Sequence, residues 1–405
     1  MRVLHLTTEF PPVIYGGLGT AVGGWVKASS RAGLEVGVLL VEGDLVVDPL
    51  RYGAARSAAW RAEGGLVDPE GIGFVRCRWS EAIGLGLRLI DRFHPDVLHL
   101  HTSMLWYLGR ELHERTATPL VYHVHSVDRA EYEVGAEPSP WLVHTEQEEA
   151  IRGSDRLIAI SDSERELLDL YYPEASGRVR VVGNGIDDSA LARHAALRRS
   201  SAGSAVVLYS GRLVERKGIR ELTEAIPRVL AEAPDTRFVI VGGPPGVPGE
   251  VLARQWLPGS PEEVEALCRS VTFTGWLTPD QVAGWYAVAD VQVIPSRYEP
   301  FGMVVLEGML YGLALVATAI GGPAEILDPG RTALLVPARD AAALGDAILR
   351  LVQEPNLRHR LGRDARADIE ARWTWDRRVA EMSEVYSELA AEPLSFSWED
   401  ERIAA

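Results

Sequence analysis

A chain of 405 residues with 47% hydrophobic and 24% charged residues has an ordinary globular balance and is too long for one core, so disorder and fibrous repeats are excluded and two domains are expected. A net charge of −16 denies the chain the bulk positive field that a general nucleic-acid or anionic-membrane binder needs; any anionic ligand must be held by a few local cations or backbone N–H groups. Two distant cysteines, Cys77 and Cys268, a short apolar N-terminal run and no stretch of about 18 apolar residues point to a cytoplasmic protein without a disulfide framework.

Short apolar runs alternate with helical patterns along the chain. Candidate strands are Val3–Leu6, Val36–Leu40, Val97–His101, Val121–Val124, Leu157–Ile160 and Val179–Val182. They are rich in Val, Leu and Ile and do not alternate, as expected of parallel strands buried on both faces of a doubly wound α/β sheet. The polar stretch Arg193–Ser204 reads as a linker. The alternation resumes with Ala205–Tyr209, Phe238–Val241, Val271–Phe273, Val291–Pro295, Ala314–Ala317 and Ala333–Val336. Asp340 then caps a helix carrying Leu344, Ile348 and Leu351 on one face, and the tail from Pro355 is helical to about Leu389.

Four groups of residues carry chemistry. In Pro295-Ser296-Arg297-Tyr298-Glu299-Pro300-Phe301-Gly302-Met303-Val304-Val305-Leu306-Glu307 a strand ends, a loop carries Glu299, and a helix starts near Gly302. Such a start turns backbone N–H groups toward a ligand, and two carboxylates can accept sugar hydroxyls. The bland alternative is a loop charge and a solvated helix residue. Tyr209–Gly218 places Lys217, one of only two lysines, five residues past Arg212 at a strand-to-helix turn. The pair can neutralise a diphosphate, whereas cations that merely decorate a helix start oppose its dipole. Pro11–Gly19 is a glycine-rich turn after the first strand; it fails as a dinucleotide fingerprint because Val22 stands where the third small residue belongs, and it lacks the Gly-Lys-Ser/Thr of a Walker loop. Finally, His99, His101, His123 and His125 form two His-x-His pairs at strand ends. No carboxylate or cysteine completes a zinc set around them, and they read mainly as hydrogen-bonded packing.

These strings, in this order, resemble the retaining GT-B glycosyltransferases of family 4, related to glycogen synthase, over essentially the whole chain. The resemblance implies an α/β fold of two Rossmann-like domains facing across a cleft: residues 1–192 on the acceptor side, residues 203–377 binding a nucleotide sugar, and a C-terminal helix at 378–392 crossing back onto the first. It implies that Glu307 grips the ribose, that Glu299 with Phe301, Gly302 and Met303 grips the donor sugar, and that Arg212 and Lys217 hold the diphosphate. It further implies that Gly17 and Gly19 lie near the diphosphate or acceptor, that His125 hydrogen-bonds the reacting sugar, and that Trp276 lines the base pocket. His125, Arg212, Lys217 and Glu299 are the expected catalytic group. Weaker matches are Asn184-Gly185-Ile186-Asp187, Gly321-Gly322-Pro323-Ala324-Glu325 and Trp373-Thr374-Trp375.

No Asp-x-Asp occurs, so a metal-held diphosphate is not expected; neither is a cofactor, the UDP-, GDP- or ADP-linked sugar being a substrate. The expected partner is a small soluble acceptor, in natural-product biosynthesis, with Tyr15, Trp106 and Tyr132 as aromatic candidates to stack on it or simply to pack. Tyr15 stands where bacterial glycogen synthases carry the lysine of Lys-x-Gly-Gly, which weighs against the alternative of a glucan or maltose-phosphate synthase of that type. A non-catalytic sugar-nucleotide-binding relative is the other alternative.

Overall fold

The computed structural model describes residues 1–11, 16–42, 66–67, 72–135, 141–186 and 204–391; the expected linker up to residue 203 lies outside them. The chain divides into two compact units, one formed by Met1–Arg129, Pro138–Gly185 and Trp375–Ala405, the other by Ala130–Glu137 and Ile186–Thr374.

The first unit contains strands β1 (Arg2–Thr7), β2 (Glu35–Glu42), β3 (Leu66–Val67), β4 (Gly73–Arg78), β5 (Val97–Leu100), β6 (Leu120–Val124), β7 (Arg156–Ala159) and β8 (Val179–Val181). Helices α1 (Gly17–Arg31), α2 (Trp79–Phe93), α3 (Trp106–Thr116), α4 (Asp128–Glu133), α5 (Trp141–Gly153) and α6 (Asp162–Tyr171) lie between them in sequence, α4 grouping with the second unit from Ala130 on. Among the described residues the sheet order is β3-β4-β2-β1-β5-β6-β7-β8, parallel except for the β3–β4 pair. Strands β3 and β4 escape a search for continuous apolar runs. Gly-Phe-Val-Arg-Cys-Arg alternates, because β4 lies near the sheet edge and is only partly buried.

The second unit contains β9 (Val206–Ser210), β10 (Arg237–Val241), β11 (Val271–Gly275), β12 (Val291–Ile294), β13 (Ala314–Thr318) and β14 (Ala333–Val336). Its helices are α7 (Ile219–Glu232), α8 (Gly249–Trp256), α9 (Pro261–Leu267), α10 (Pro279–Val288), α11 (Met303–Leu310), α12 (Gly321–Ile326), α13 (Ala341–Gln353) and α14 (Pro355–Arg372). The order β11-β10-β9-β12-β13-β14 is parallel throughout. Asp340 caps α13 by accepting the Ala343 N–H at 2.8 Å, and Leu344, Ile348 and Leu351 are buried.

Helix α15 (Trp375–Ala391) groups with the first unit, burying Val379, Met382, Val385, Tyr386 and Leu389 in the core that also holds Trp25 of α1. Its first residue explains Gly24: a Cβ there would lie 2.2 Å from the Trp375 ring. No helix among the described residues is long and apolar enough to cross a membrane.

Among the parallel strands of each sheet the order reverses once, between β1 and β5 and between β9 and β12. Loops leaving the carboxyl ends of strands at such a reversal diverge to opposite faces and leave a crevice where α/β proteins bind ligands.

Candidate active site

Two of the sequence motifs leave the β9/β12 reversal point. After β9 the chain passes Arg212 and makes a 3-10 turn over Glu215–Lys217, and Gly218 (φ 68°) starts α7. A Cβ on Gly218 would sit 1.8 Å from the carbonyl oxygen of Pro295, so only glycine allows this turn to lie against the loop after β12. The loops are stitched together there: the Arg216 carbonyl accepts the Arg297 N–H at 2.7 Å, and Arg297 bonds Glu221 of α7 at 2.7 Å.

This docking brings Lys217 and Glu299 together. Lys217 Nζ donates to Glu299 Oε2 at 2.5 Å, and Ser296 Oγ donates to the same oxygen at 3.0 Å. The side chains are 17% and 8% exposed. Burial pushes the Glu299 carboxyl up, but the Lys217 ammonium, with Arg216 and Ser296, outweighs it and holds the group below the ordinary glutamate value. Burial lowers Lys217 in turn, opposed by Glu299. Arg216 is buried beside them, its Nη2 3.4 Å from Glu131 and its Nη1 without a hydrogen-bond partner among the described residues. The Arg212 side chain is exposed, with no carboxylate within ion-pair distance among the described residues, and is thus free to meet an anion. Sequence reasoning passed over Arg216 although it stands inside the quoted string.

Gly302 (φ 97°) opens α11 without a side-chain cap, leaving the first-turn amides at Met303 unclaimed by any capping group. The Gly321-Gly322 pair packs behind this loop. A Cβ on Gly321 would lie 2.3 Å from the Glu299 carbonyl oxygen and one on Gly322 2.0 Å from that of Phe301, and the Gly322 N–H donates to the Glu299 carbonyl at 3.0 Å. Glu307, one turn into α11, accepts from the Tyr286 hydroxyl at 2.8 Å, and Tyr286 accepts from Gln292 Nε2 at 3.0 Å. Burial raises the Glu307 pKa, and the Tyr286 bond offsets part of that. Tyr286 and Gln292 belong to no motif; only the fold shows that Tyr286 holds Glu307 and that Gln292 holds Tyr286. Trp276 follows β11 with its side chain 38% exposed.

In the first unit the glycine turn follows β1. Here Glu9 Oε2 accepts the Gly16 and Gly19 N–H groups, each at 3.2 Å, so the Gly19 amide already meets a carboxylate. Among the described residues no atom lies within 4 Å of a Cβ placed on Gly17. Tyr15 lies outside the described residues. For Trp106 the structure corrects the stacking alternative in favour of packing. Its ring is 1% exposed and its Nε1 donates to Glu149 at 2.9 Å, so it is a core residue and cannot stack on a ligand. Tyr132 is 59% exposed, on the 130–137 segment that groups with the second unit rather than the first.

His125 follows β6, half-buried, its Nε2 3.3 Å from His101 Nδ1. Ring nitrogens of His5, His99 and His101, and of His101, His123 and His125, come within 4.8 Å of one another, close enough for a metal by distance alone. The rings are nearly parallel, however: 9° between His123 and His125, 20° between His99 and His101. Stacked imidazoles direct their lone pairs side by side rather than to one point, and the nitrogens face each other at hydrogen-bond distance, which fits a hydrogen-bonded stack better than a metal centre.

Comparison with known proteins agrees with the geometry. The family described as Glycosyl transferases group 1 matches residues 204–354, and Glycosyltransferase Family 4 matches residues 15–190. A glycogen synthase of Mycobacterium tuberculosis is 30% identical over 407 aligned residues, covering 95% of this chain and 94% of that protein. A D-inositol 3-phosphate glycosyltransferase of Acidothermus cellulolyticus is 33% identical over 320 residues, 73% of this chain and 68% of that one. The solved structure of a sucrose-phosphate synthase from Thermosynechococcus elongatus superposes with a TM-score of 0.75 at 23% identity, covering 96% of this chain and all of that one (100%). With two parallel α/β sheets and paired loops at the β9/β12 reversal, the chain belongs to the group 1 (family 4) glycosyltransferases, glycogen synthase-like enzymes of the GT-B fold.

Proposed function

We propose that the protein transfers a sugar, with retention of anomeric configuration and without a metal ion, from a nucleotide diphosphate donor to a small acceptor. The observation that carries this reading is the cation cluster after β9: Arg212 exposed, Arg216 and Lys217 beside it, paired among the described residues with Glu131 and Glu299. Three cations against two carboxylates leave one positive charge for an incoming diphosphate. Each well-placed donor stabilises the charge on a departing group by about 2.7–4 kcal/mol, the work a divalent ion does elsewhere.

On this reading the diphosphate lies over Arg212, Arg216 and Lys217, Glu307 takes the ribose hydroxyls, and Trp276 lines the base. Glu299 and the amides from Phe301 to Met303 hold the donor sugar; in the first unit His125 hydrogen-bonds the reacting sugar and Gly17 lies near the diphosphate or acceptor. Glu299 is paired with Lys217 and so suits binding better than nucleophilic attack, and catalysis rests on positioning and electrostatics. The test is acceptor-dependent release of nucleoside diphosphate by EDTA-treated enzyme, over UDP-, GDP- and ADP-sugars and a panel of small alcohols, amines and thiols, with the product anomer read by NMR. No release with any acceptor, an inverted product, or loss of turnover in EDTA restored by a divalent ion each contradicts the corresponding part.

The resemblance to a glycogen synthase over 95% of the chain favours a second reading, in which the acceptor is a glucan or sugar phosphate. Glycogen, maltodextrin and maltose phosphate therefore belong in the panel, and a glucan turned over faster than every small acceptor would replace the first reading.

A further inference from the structure

His125 is the outer end of a built hydrogen-bond chain. Along β1, β5 and β6 one sheet face carries Val3, Val97 and Val121, and toward the carboxyl ends the same face turns to His5, His99, His101, His123 and His125. The five rings form two chains. In one, His5 Nδ1 lies 2.9 Å from His101 Nε2, and His101 Nδ1 lies 3.3 Å from His125 Nε2. In the other, the Tyr386 hydroxyl is 2.5 Å from His99 Nδ1, and His99 Nε2 is 3.2 Å from His123 Nδ1. The first chain ends inside the protein at His5 Nε2, which is buried without a hydrogen-bond partner among the described residues.

A neutral imidazole has one N–H and one bare nitrogen. Burial lowers His5 and His125 to about 3 and His101 well below its ordinary value, so each ring of this chain carries a single proton. Two proton orders then satisfy both hydrogen bonds. Pointing inward, the protons end on His5 Nε2 as a buried N–H with no acceptor. Pointing outward, they leave only a bare ring nitrogen there, and His125 accepts at Nε2 while carrying its proton on Nδ1. Orphaned buried N–H groups are the rarer arrangement in folded proteins, which selects the outward order.

We infer that His101, backed by His5, is a positioning residue that sets the tautomer of His125, making it a neutral hydrogen-bond donor through Nδ1 toward the sugar. The inference rests on the assignment of His125 to the reacting sugar. It also denies His125 the part of general base through Nε2, whose lone pair is taken by His101.

Two-bond proton–nitrogen correlation spectra of histidine-labelled full-length protein test this directly, with the His125 signals assigned by their loss in His125→Gln. The expected result is a protonated Nδ1 and a bare Nε2 on His125; a proton on Nε2 overturns the inference. His101→Asn keeps an N–H near the position of Nδ1, whereas His101→Phe removes it. The phenylalanine variant should give a mixed His125 tautomer and a kcat/KM about tenfold lower, and the asparagine variant should recover most of both. Equal losses in two folded variants would show that His101 merely fills space. The spectra need no substrate, so the outcomes separate: an active enzyme with the opposite tautomer refutes the relay alone, while the expected tautomer in a protein that transfers no sugar refutes the functional reading alone.

Discussion

Replacing Lys217 by alanine removes the ammonium bound at 2.5 Å to a carboxylate only 8% exposed, and two separable losses follow. Breaking one side of a buried ion pair typically costs about 3–5 kcal/mol of stability, and the Ser296 hydrogen bond and nearby Arg216 charge that Glu299 keeps place this case at the lower end. If Lys217 also meets the leaving diphosphate, turnover falls at least about 100-fold. The variant Lys217→Met with Glu299→Gln separates the two, because it restores charge balance in the buried site: stability should return by a kcal/mol or more (about 1–2) while turnover stays low. The pH dependence carries a sign. In the wild type Glu299 has a lowered pKa, so the unfolded chain binds more protons, and its contribution is present above the ordinary value of 4.5 and lost as the pH falls through the folded value. Without Lys217, burial dominates and raises the folded pKa, so this contribution reverses and stability gains as Glu299 protonates. Urea titrations across mildly acidic pH read the slope, and initial rates of nucleotide release read turnover. Wild-type turnover in a folded Lys217→Ala protein would refute the catalytic assignment, and an unchanged slope would refute the account of the pair.

Tyr286→Phe removes the hydrogen bond to Glu307 that opposes its raised pKa, so the donor KM should rise about tenfold with kcat nearly unchanged, most strongly toward acid pH; a loss confined to kcat contradicts a ribose-holding role. Gly218→Ala forces a Cβ into the Pro295 carbonyl at positive φ and should cost at least about 2 kcal/mol in denaturant unfolding, together with activity, since both loops move; a change under about 0.5 kcal/mol would mean that the turn is not held as described. Trp106→Ala should destabilise by about 3–5 kcal/mol while leaving the acceptor KM of the surviving folded enzyme near wild type, the reverse of what a stacking residue would show.

The amino-acid sequence by itself determined the alternation of buried strands and helices, because parallel strands covered on both faces must be continuous apolar runs, and β1, β5, β6, β9 and β12 read that way. It also singled out Lys217, Glu299 and Glu307, which stand in the full motif strings that carry the family resemblance. It was silent where the signal is pairing across the chain. Strand β4 alternates because its neighbours bury only part of it, and Trp106 read equally as a stacking or a packing aromatic until its helix turned it into the core. Glu9 offered no hint that it would occupy the Gly19 amide. Tyr286 reaches Glu307, and Gln292 reaches Tyr286, only once β12 and α10 are folded, and the five histidines form two chains only because β1, β5 and β6 are neighbours in the sheet. Hydrophobic periodicity is local and survives in one dimension; a hydrogen bond between residues some 96 positions apart, such as that between His5 and His101, exists only after the sheet has fixed which strands lie side by side.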